Sequence, residues 1–421
     1  MKLLMNTALA DEQTRAYATG LPNLDSADVH ATLRAVFDYT PSPLRDLPTL
    51  AKDLDIGRLW LKDEGRRLGL RSFKALGGAY TVLRLVMEEA TRLDGKAMTT
   101  DELPRSASGS LAIEPRDGRP ARDARAQRFY RAAATMTFVC ATDGNHGQSV
   151  AAGARLAGAR AVILVHGGVT QARRNAIARF GAQIVEVKGT YDDAVAESMR
   201  LAQSSGWTLL SDTTWPGYED IPRWVMQGYT LISRELAEQL DTVPTHVFLQ
   251  AGVGGFAAAL ARSMALQWAA HPPKFIVVEP SRAACLFESA KADHPVRVDA
   301  GEPTLMSMLE CYEPSLVAWR VLRQYAAAYM TIEEEDAIQA MRALAMAKKD
   351  EEVVLAGESG AAGLAGLLAL AGDRKGRGQL GLDQDSRVLL VNTESATDEA
   401  RFHSLMGFTA SEVSQRAGVL A

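Results

Sequence analysis

The sequence Met136-Thr137-Phe138-Val139-Cys140-Ala141 runs directly into Thr142-Asp143-Gly144-Asn145-His146-Gly147, and this junction decides the fold. Its first half is apolar throughout, which is typical of a buried β-strand, and residues 147–156 have helical spacing. The same alternation continues along the chain. Further strands are predicted at 161–165, 183–187, 208–211, 246–250, 275–279 and 388–392, and further helices at 171–180, 192–204 and 257–264. Apolar strands separated by helices indicate an α/β fold with parallel strands covered on both faces.

The composition limits the class of protein. The chain has 421 residues, of which 47% are hydrophobic and 23% charged, and its formal net charge is −5. These values are ordinary for a soluble enzyme of about two or three domains. The negative charge and the lack of a basic run with interleaved aromatics argue against nucleic-acid binding. No apolar stretch approaches the roughly 20 residues that a membrane helix needs, so we expect no membrane partner.

Neither a secretion signal nor a metal site is indicated. Residues 2–10 imitate a signal peptide only faintly, because their apolar part is short and interrupted. Cys140, Cys285 and Cys311 lack the spacing of metal ligands, and the seven histidines show no paired spacing. Reduced thiols in a cytoplasmic enzyme are therefore expected, although Cys285 and Cys311 could pair if the fold brings them together.

Residues 99–128 differ from the rest of the chain. Pro, Ser, Gly, Asp and Arg dominate there, and large apolar residues are scarce. Such a composition predicts a surface insertion that is mobile. A functional lid is a weaker alternative.

The segment Arg71-Ser72-Phe73-Lys74-Ala75-Leu76-Gly77-Gly78-Ala79-Tyr80 places a lysine at the start of a predicted helix. Ser72 is a suitable N-cap, and the glycine pair permits close packing. A lysine amine condenses with an aldehyde to a Schiff base, and a helix N-terminus disfavours its ammonium form. Taken alone, the segment fits a solvated lysine better; its importance comes from the motifs that follow it.

A glycine-rich stretch, Gly252-Val253-Gly254-Gly255-Phe256, lies between the predicted strand 246–250 and helix 257–264. Glycines let successive N–H groups converge on an anion, and the helix dipole adds to the attraction. The stretch predicts a phosphate site, but a tight turn or a dinucleotide site fits it as well. The dinucleotide alternative is weakened because the glycines lie late in the chain and no glycine-rich Rossmann fingerprint precedes them. It stays open because an acidic residue, Glu279, follows the next predicted strand, where a dinucleotide site would need one.

Two polar loops follow predicted strands, where ligands gather in open α/β sheets. In the first, Asp143 could reach a substrate and Asn145 could donate to a cofactor oxygen, whereas a capped turn is the alternative. His146 is expected to be structural. In the second, Asp212 follows apolar residues, so desolvation would raise its pKa and make it a proton acceptor. A helix N-cap explains Asp212 equally well.

The last strand ends in Asn392-Thr393-Glu394-Ser395, and residues 357–363 introduce a small-residue helix. A hydroxyl at the strand end could meet a pyridine nitrogen and would leave that ring unprotonated, which favours elimination. An amine, anion-binding amides, a partner for the ring nitrogen and a base near the substrate Cα are what pyridoxal 5'-phosphate (PLP) requires of a protein. The motifs supply these groups in a suitable order.

The ordered set Ser-Phe-Lys, Asp-Gly-Asn-His-Gly, Gly-Val-Gly-Gly, Glu-Ser-Gly-Ala-Ala-Gly and Asn-Thr-Glu resembles the tryptophan synthase β-like, fold type II PLP enzymes. The likeness covers about residues 35–405. Within that family the chain looks most like the ammonia-lyases that act on diaminopropionate. Residues 75–80, Thr142-Asp143 and the stretch 212–229 carry this resemblance, where serine and threonine dehydratases usually differ.

The resemblance implies two domains, each with a mostly parallel sheet flanked by helices, and PLP in the cleft between them. Residues 1–78 and 211–421 would form the large PLP-binding domain, and 79–210 the smaller one with the insertion at 99–128. It also implies a cytoplasmic homodimer.

The implied reaction is cleavage of 2,3-diaminopropionate, as the D or L isomer or both, to pyruvate and two ammonia molecules. Lys74 would bind the cofactor aldehyde, and Asp143 and Asp212 would stand near Cα, each serving one isomer if they lie on opposite faces. The expected cofactor-binding residues are Lys74, Asn145, Gly252, Val253, Gly254, Gly255, Phe256 and Thr393. Ser395 stands where the family has glycine, so Thr393 or Ser395 could meet the ring nitrogen. A serine or threonine dehydratase, or another β-eliminase on a β-substituted alanine, is the alternative, and a non-catalytic metabolite-binding regulator is a third.

Overall fold

The computed structural model describes residues 1–9, 24–106, 110–111, 124–347 and 351–416. The larger of its two sheets has seven strands. Across the sheet they are β1 (Lys2–Met5), β10 (Ala326–Ile332), β9 (Lys274–Pro280), β8 (His246–Gln250), β11 (Arg387–Asn392), β3 (Arg58–Asp63) and β2 (Leu44–Asp46). The inner strands run parallel, and β1 and β2 pair antiparallel at the two edges.

The smaller sheet has four strands, all parallel. In order they are β6 (Gln183–Val187), β5 (Arg160–His166), β4 (Thr137–Ala141) and β7 (Thr208–Leu209). These four strands come from within residues 79–210, and the strands of the larger sheet come from outside that range. The boundaries of the two expected domains stay a prediction.

Helices precede or follow most strands, as parallel connections require. In the described residues they are α1 (Ala27–Val36), α2 (Pro48–Asp53), α3 (Lys74–Asp94), α4 (Gln127–Ala133), α5 (Asn145–Ala157), α6 (Gln171–Ala178), α7 (Tyr191–Ser205), α8 (Asp220–Gln239), α9 (Gly255–Gln267), α10 (Cys285–Ala292), α11 (Leu316–Tyr325), α12 (Glu334–Ala345), α13 (Ala362–Ala371), α14 (Arg374–Leu380), α15 (Glu399–Met406) and α16 (Ala410–Arg416). None of these helices is long and apolar enough to cross a membrane.

The α/β class and the parallel sheets are confirmed. The strands predicted at 183–187 and 246–250 have the observed bounds, whereas the strand predicted at 208–211 ends at Leu209. No sequence pattern predicted β1, β2, β3 or β10. In β3 the buried Lys62 interrupts the apolar run, and β10 begins with three alanines, so neither strand carries a strong hydrophobic signal.

Helix α3 packs between α5 and α8, and its glycine pair allows the close approach that the sequence predicted. A Cβ on Gly77 would lie 2.6 Å from Cε1 of Tyr229, and one on Gly78 would lie 2.7 Å from Oγ of Ser149. Side chains at these two positions would push α8 or α5 away. The glycines therefore fix the distance between the helix that begins at Lys74 and its neighbours.

The insertion predicted to be mobile spans 99–128, and residues 107–109 and 112–123 of it lie outside the described residues. Its described ends are packed against the fold. Leu103 and Leu111 are buried, and the N–H of Leu111 donates to the carbonyl of Leu68 at 3.0 Å. The N–H of Ser106 donates to the carbonyl of Val36 at 2.7 Å.

Candidate active site

One cavity gathers nearly all of the residues that the sequence analysis selected. Its walls are Lys74, the loop 141–146, Asp212, the stretch 250–256, and Thr393 with Glu394. These segments follow strands of both sheets, so their side chains meet although they lie far apart in sequence. Tyr191 and Cys311 also line the cavity, and no sequence pattern had selected them for it.

Lys74 is fixed by a short backbone ladder rather than by a capping serine. The N–H of Phe73 donates to the carbonyl of Thr393 at 3.0 Å, and Ser72 pairs with Glu394 in an isolated bridge. The predicted N-cap role of Ser72 is therefore wrong: Phe73 occupies the N-cap position, and no side chain caps the helix. Pairing with the 393–394 segment brings Lys74 beside the end of β11.

Lys74 and Asp212 form an ion pair. Their side chains are 20% and 14% exposed, so solvent screens the charges only in part. Burial alone would lower the pKa of Lys74, but the Asp212 carboxylate outweighs burial and raises it. In the same way burial would raise the pKa of Asp212, but Lys74, and then His146, hold it well below its usual range.

The expectation of a raised pKa for Asp212 is therefore wrong, because the lysine lies directly beside it. Asp212 does not cap a helix either, since α8 begins only at Asp220. In the structure Asp212 contacts the amine of Lys74, the candidate cofactor-binding group. Neither the proton-acceptor nor the N-cap interpretation had predicted this contact.

The glycine-rich stretch forms a cradle at the start of α9. Gly254 has a φ of +96°, which favours glycine, and a Cβ on Gly252 would lie 2.8 Å from Sγ of Cys311. The first N–H groups of a helix have no intrahelical acceptor, and those of α9 open onto the cavity that holds Lys74. This arrangement suits a phosphate group.

Glu279 does not support the dinucleotide alternative. Its two carboxylate oxygens accept the N–H groups of Leu286 and Phe287, at 2.8 and 2.7 Å, at the start of α10. The side chain is fully buried, and burial raises its pKa to about 8. A ribose hydroxyl would have no access to it.

Asn145 lies in the cavity wall and donates its side-chain amide to Oε2 of Glu394 at 2.5 Å. Burial, and then the neighbouring Glu358, raise the pKa of Glu394 to about 7. Glu394 belongs to the motif Asn392-Thr393-Glu394-Ser395, but the sequence alone predicted no role for it. Because that carboxyl holds the Asn145 side chain, it decides where the amide points.

Thr393 and Ser395 lie in different places. Thr393 lines the cavity, and its Oγ1 accepts a hydrogen bond from Nε2 of Gln250 at 3.1 Å. Ser395 lines another depression together with Arg66 and Arg71. Because the Thr393 hydroxyl already accepts from Gln250, its own proton is free to be donated into the cavity.

Asp143 lies on the cavity wall with its carboxylate against His166, whose Nε2 lies 2.8 Å from Oδ1 of Asp143. His146 also lines the cavity. Its Nε2 lies 2.9 Å from the carbonyl of Leu210, and burial lowers its pKa, so its expected structural role stays a prediction. Cys140, Cys285 and Cys311 are free thiols.

The residues present fit PLP. A lysine amine, a glycine cradle at a helix N-terminus, a side-chain amide and a hydroxyl with a donatable proton border the same cavity. The amine, the cradle and the hydroxyl each match one of the groups that the cofactor requires, and the side-chain amide offers a donor for its ring oxygen.

Comparison with known proteins agrees with this geometry. The pyridoxal-phosphate dependent enzyme family matches residues 119–394. Diaminopropionate ammonia-lyase of Escherichia coli (strain K12) is 34% identical over 374 residues, which are 87% of either chain. The crystal structure of the Escherichia coli diaminopropionate ammonia-lyase with an aminoacrylate-PLP azomethine reaction intermediate has a TM-score of 0.80, 30% identity and 96% coverage of both chains. Its complex with D-serine has a TM-score of 0.79 at the same identity and coverage.

Proposed function

Because the chain belongs to the diaminopropionate ammonia-lyases of the pyridoxal-phosphate dependent enzyme family, we propose that it cleaves 2,3-diaminopropionate to pyruvate and two ammonia molecules. The first ammonia leaves from Cβ, and the second is released when water hydrolyses the enamine product. The observation that carries the proposal is the convergence of Lys74, Asp143 and Asp212 on one cavity.

PLP, when bound, supplies an aldehyde that reacts with amines and a ring that withdraws electrons from the substrate Cα. Lys74 would hold it through its amine. The cradle of Gly252, Val253, Gly254, Gly255 and Phe256 would bind the phosphate through backbone N–H groups. Asn145 would donate to the ring oxygen, and the Thr393 hydroxyl would donate to the ring nitrogen.

A neutral donor at the ring nitrogen leaves the ring without a positive charge there. Elimination of a β-amine needs less electron withdrawal than chemistry that accumulates a full carbanion, so Thr393 suits the proposed reaction. Ser395 lies in another depression, which supports Thr393 as the donor.

Asp143 and Asp212 are the two groups that accept the Cα proton. Each carboxylate lines the cavity, and each is held by a different partner, His166 for Asp143 and Lys74 for Asp212. We assign one aspartate to each isomer of the substrate.

The same family membership supports three further parts of the proposal: a large PLP-binding domain of residues 1–78 and 211–421 with a smaller one of 79–210, a homodimer, and a cytoplasmic location. The division of strands between the sheets supports the domains. Sedimentation of the PLP-loaded protein should give twice the mass of the chain, and a monomer mass would exclude the dimer.

A substrate panel tests the reaction. The purified protein with PLP is given D- and L-diaminopropionate, serine and threonine, and pyruvate, 2-oxobutyrate and ammonia are followed. We expect diaminopropionate to be turned over fastest, with two ammonia molecules per pyruvate. Faster turnover of serine or threonine would replace the proposal with the dehydratase alternative.

Borohydride reduction of the PLP-saturated protein tests the cofactor site. Peptide mass mapping should find the reduced cofactor on Lys74 and not on Lys62, a buried lysine that does not line the cavity. Lys74→Ala should lose both the label and the visible absorbance of the imine. A label elsewhere would remove Lys74 from the mechanism.

A further inference from the structure

His166 lies directly behind Asp143, outside the cavity lining. The position follows from the ladder between β4 and β5, in which Ala141 pairs with Leu164. Asp143 and His166 each come two residues after that pair, so the parallel register brings them together where both strands end. The two side chains are both 24% exposed, and Nε2 of His166 lies 2.8 Å from Oδ1 of Asp143.

The turn after β5 selects one tautomer of the ring. The N–H of Gly168 donates to Nδ1 of His166 at 3.2 Å. With Nδ1 accepting, the neutral imidazole carries its proton on Nε2 and donates it to Asp143. Gly168 has no side chain to disturb this, since a Cβ there would lie 2.8 Å from Cε1 of the ring.

The charges around His166 favour its protonated form. The hydrogen bond that Nε2–H of His166 donates to Asp143 is the largest influence and raises the pKa of His166, with a further contribution from Glu310. Burial and the Arg174 guanidinium act in the opposite direction. Arg174 is itself paired with Glu186 at 2.5 Å, which reduces its effect on the ring.

We propose that His166 is a positioning residue for Asp143, and that its protonation state sets how fast the enzyme uses the isomer whose Cα proton goes to Asp143. The inference rests on the proposed function and adds a regulatory partner to one of its two bases. His166 does not line the cavity. On the Asp212 side, Nδ1 of His146 lies 3.9 Å from Oδ2 of Asp212, but burial lowers the pKa of His146, so that ring stays neutral where His166 titrates.

The direction of the effect follows from charge. Below the pKa of His166 the ring is a cation, whose charge attracts the Asp143 carboxylate and so hinders its approach to the Cα proton. Above that pKa the neutral ring still orients the carboxylate through Nε2–H, but the attracting charge is gone. Turnover of the Asp143-dependent isomer therefore rises with pH through the raised pKa of His166, and turnover of the other isomer does not.

Two substitutions separate orientation from charge. His166→Gln keeps an N–H donor at similar reach but cannot be protonated, whereas His166→Ala removes both. We expect His166→Ala to lower kcat/KM for one isomer by about 10–100-fold and to change the other by less than about twofold. His166→Gln should recover much of that loss and should lack the pH-dependent rise. Asp143→Asn identifies which isomer depends on Asp143, and the exposed His271→Gln is the control.

A histidine titration by NMR tests the pair without any activity. In the wild-type holoenzyme His166 should titrate above about 6.5, and in Asp143→Asn its midpoint should fall. Equal midpoints in the two proteins, or equal losses for both isomers in His166→Ala, would overturn the inference. A wild-type protein that turns over neither isomer would instead overturn the proposed function, while the titration would still report on the pair.

Discussion

At the scale of single residues, the ion pair of Lys74 and Asp212 sets the protonation state of the lysine amine that reacts with PLP. A PLP aldehyde reacts with an unprotonated amine, and Asp212 raises the pKa of Lys74. The apoprotein therefore holds Lys74 as an ammonium ion. Cofactor loading must remove that proton.

Asp212→Asn should make the apoprotein bind PLP faster at neutral pH. Without the carboxylate, burial lowers the pKa of Lys74, so we expect the loading rate at pH 7 to rise by about tenfold or more. The growth of the imine absorbance after PLP is added to apoprotein measures this rate. Asp143→Asn is the matched control, because the Asp143 carboxylate is bonded to His166, whereas Lys74 is paired with Asp212. If Asp212→Asn loaded PLP at pH 7 no faster than the wild-type protein, the proposed effect of the ion pair on loading would be contradicted.

At the scale of elements, the junction of β8 and α9 depends on glycine at 254. Its φ of +96° strains any other residue, and a Cβ there would lie 3.0 Å from Cδ1 of Leu286. Gly254→Ala should therefore distort the cradle, at a strain of about 1–3 kcal/mol.

We expect Gly254→Ala to weaken PLP binding by about tenfold or more, which equilibrium titration of the apoprotein with PLP would measure. Gly301→Ala is the control, since a Cβ at that position meets nothing within 4 Å. Equal affinity in the two variants would show that the phosphate does not bind at this turn.

At the scale of the whole molecule, a buried cluster of charges ties β3 and the segment before Lys74 to α8. Glu235 on α8 accepts from Nζ of Lys62 at 2.5 Å and from both Nη atoms of Arg67 at 2.7 and 2.8 Å. Glu64 bonds the same guanidinium at 2.7 and 2.8 Å. Because all four side chains are buried, removing one charge leaves the others without compensation.

Glu235→Gln should lower the free energy of unfolding by about 3–5 kcal/mol, as measured by urea denaturation. Glu197→Gln, which breaks an exposed pair with Arg200, should change it by less than about 1 kcal/mol. Comparable losses in the two variants would mean that the buried cluster does not stabilise the fold.

The same cluster predicts an acid dependence. Burial would raise the pKa of Glu235, but Arg67 and Lys62 outweigh it and lower the pKa to about 2. A depressed carboxyl pKa stabilises the fold above the unfolded value of about 4.3, and the contribution is lost as the pH falls toward 2. The free energy of unfolding, measured between pH 6 and 3, should therefore fall less with decreasing pH in Glu235→Gln than in the wild-type protein.

The sequence by itself determined the α/β class, the parallel strands and the motifs around Lys74, Asn145 and Gly254. Strand and turn formation depend on residues close together in the chain, so the hydrophobic periodicity of the sequence predicts them. Only the tertiary structure decided that Asp212 is held ionised, that Thr393 rather than Ser395 faces the cavity, and that His166 lies behind Asp143. Lys74 and Asp212 are 138 residues apart in the chain, so their contact depends on how the two sheets meet. Hydrogen bonds and Coulomb interactions act over a few ångströms of space, and local sequence does not contain those distances.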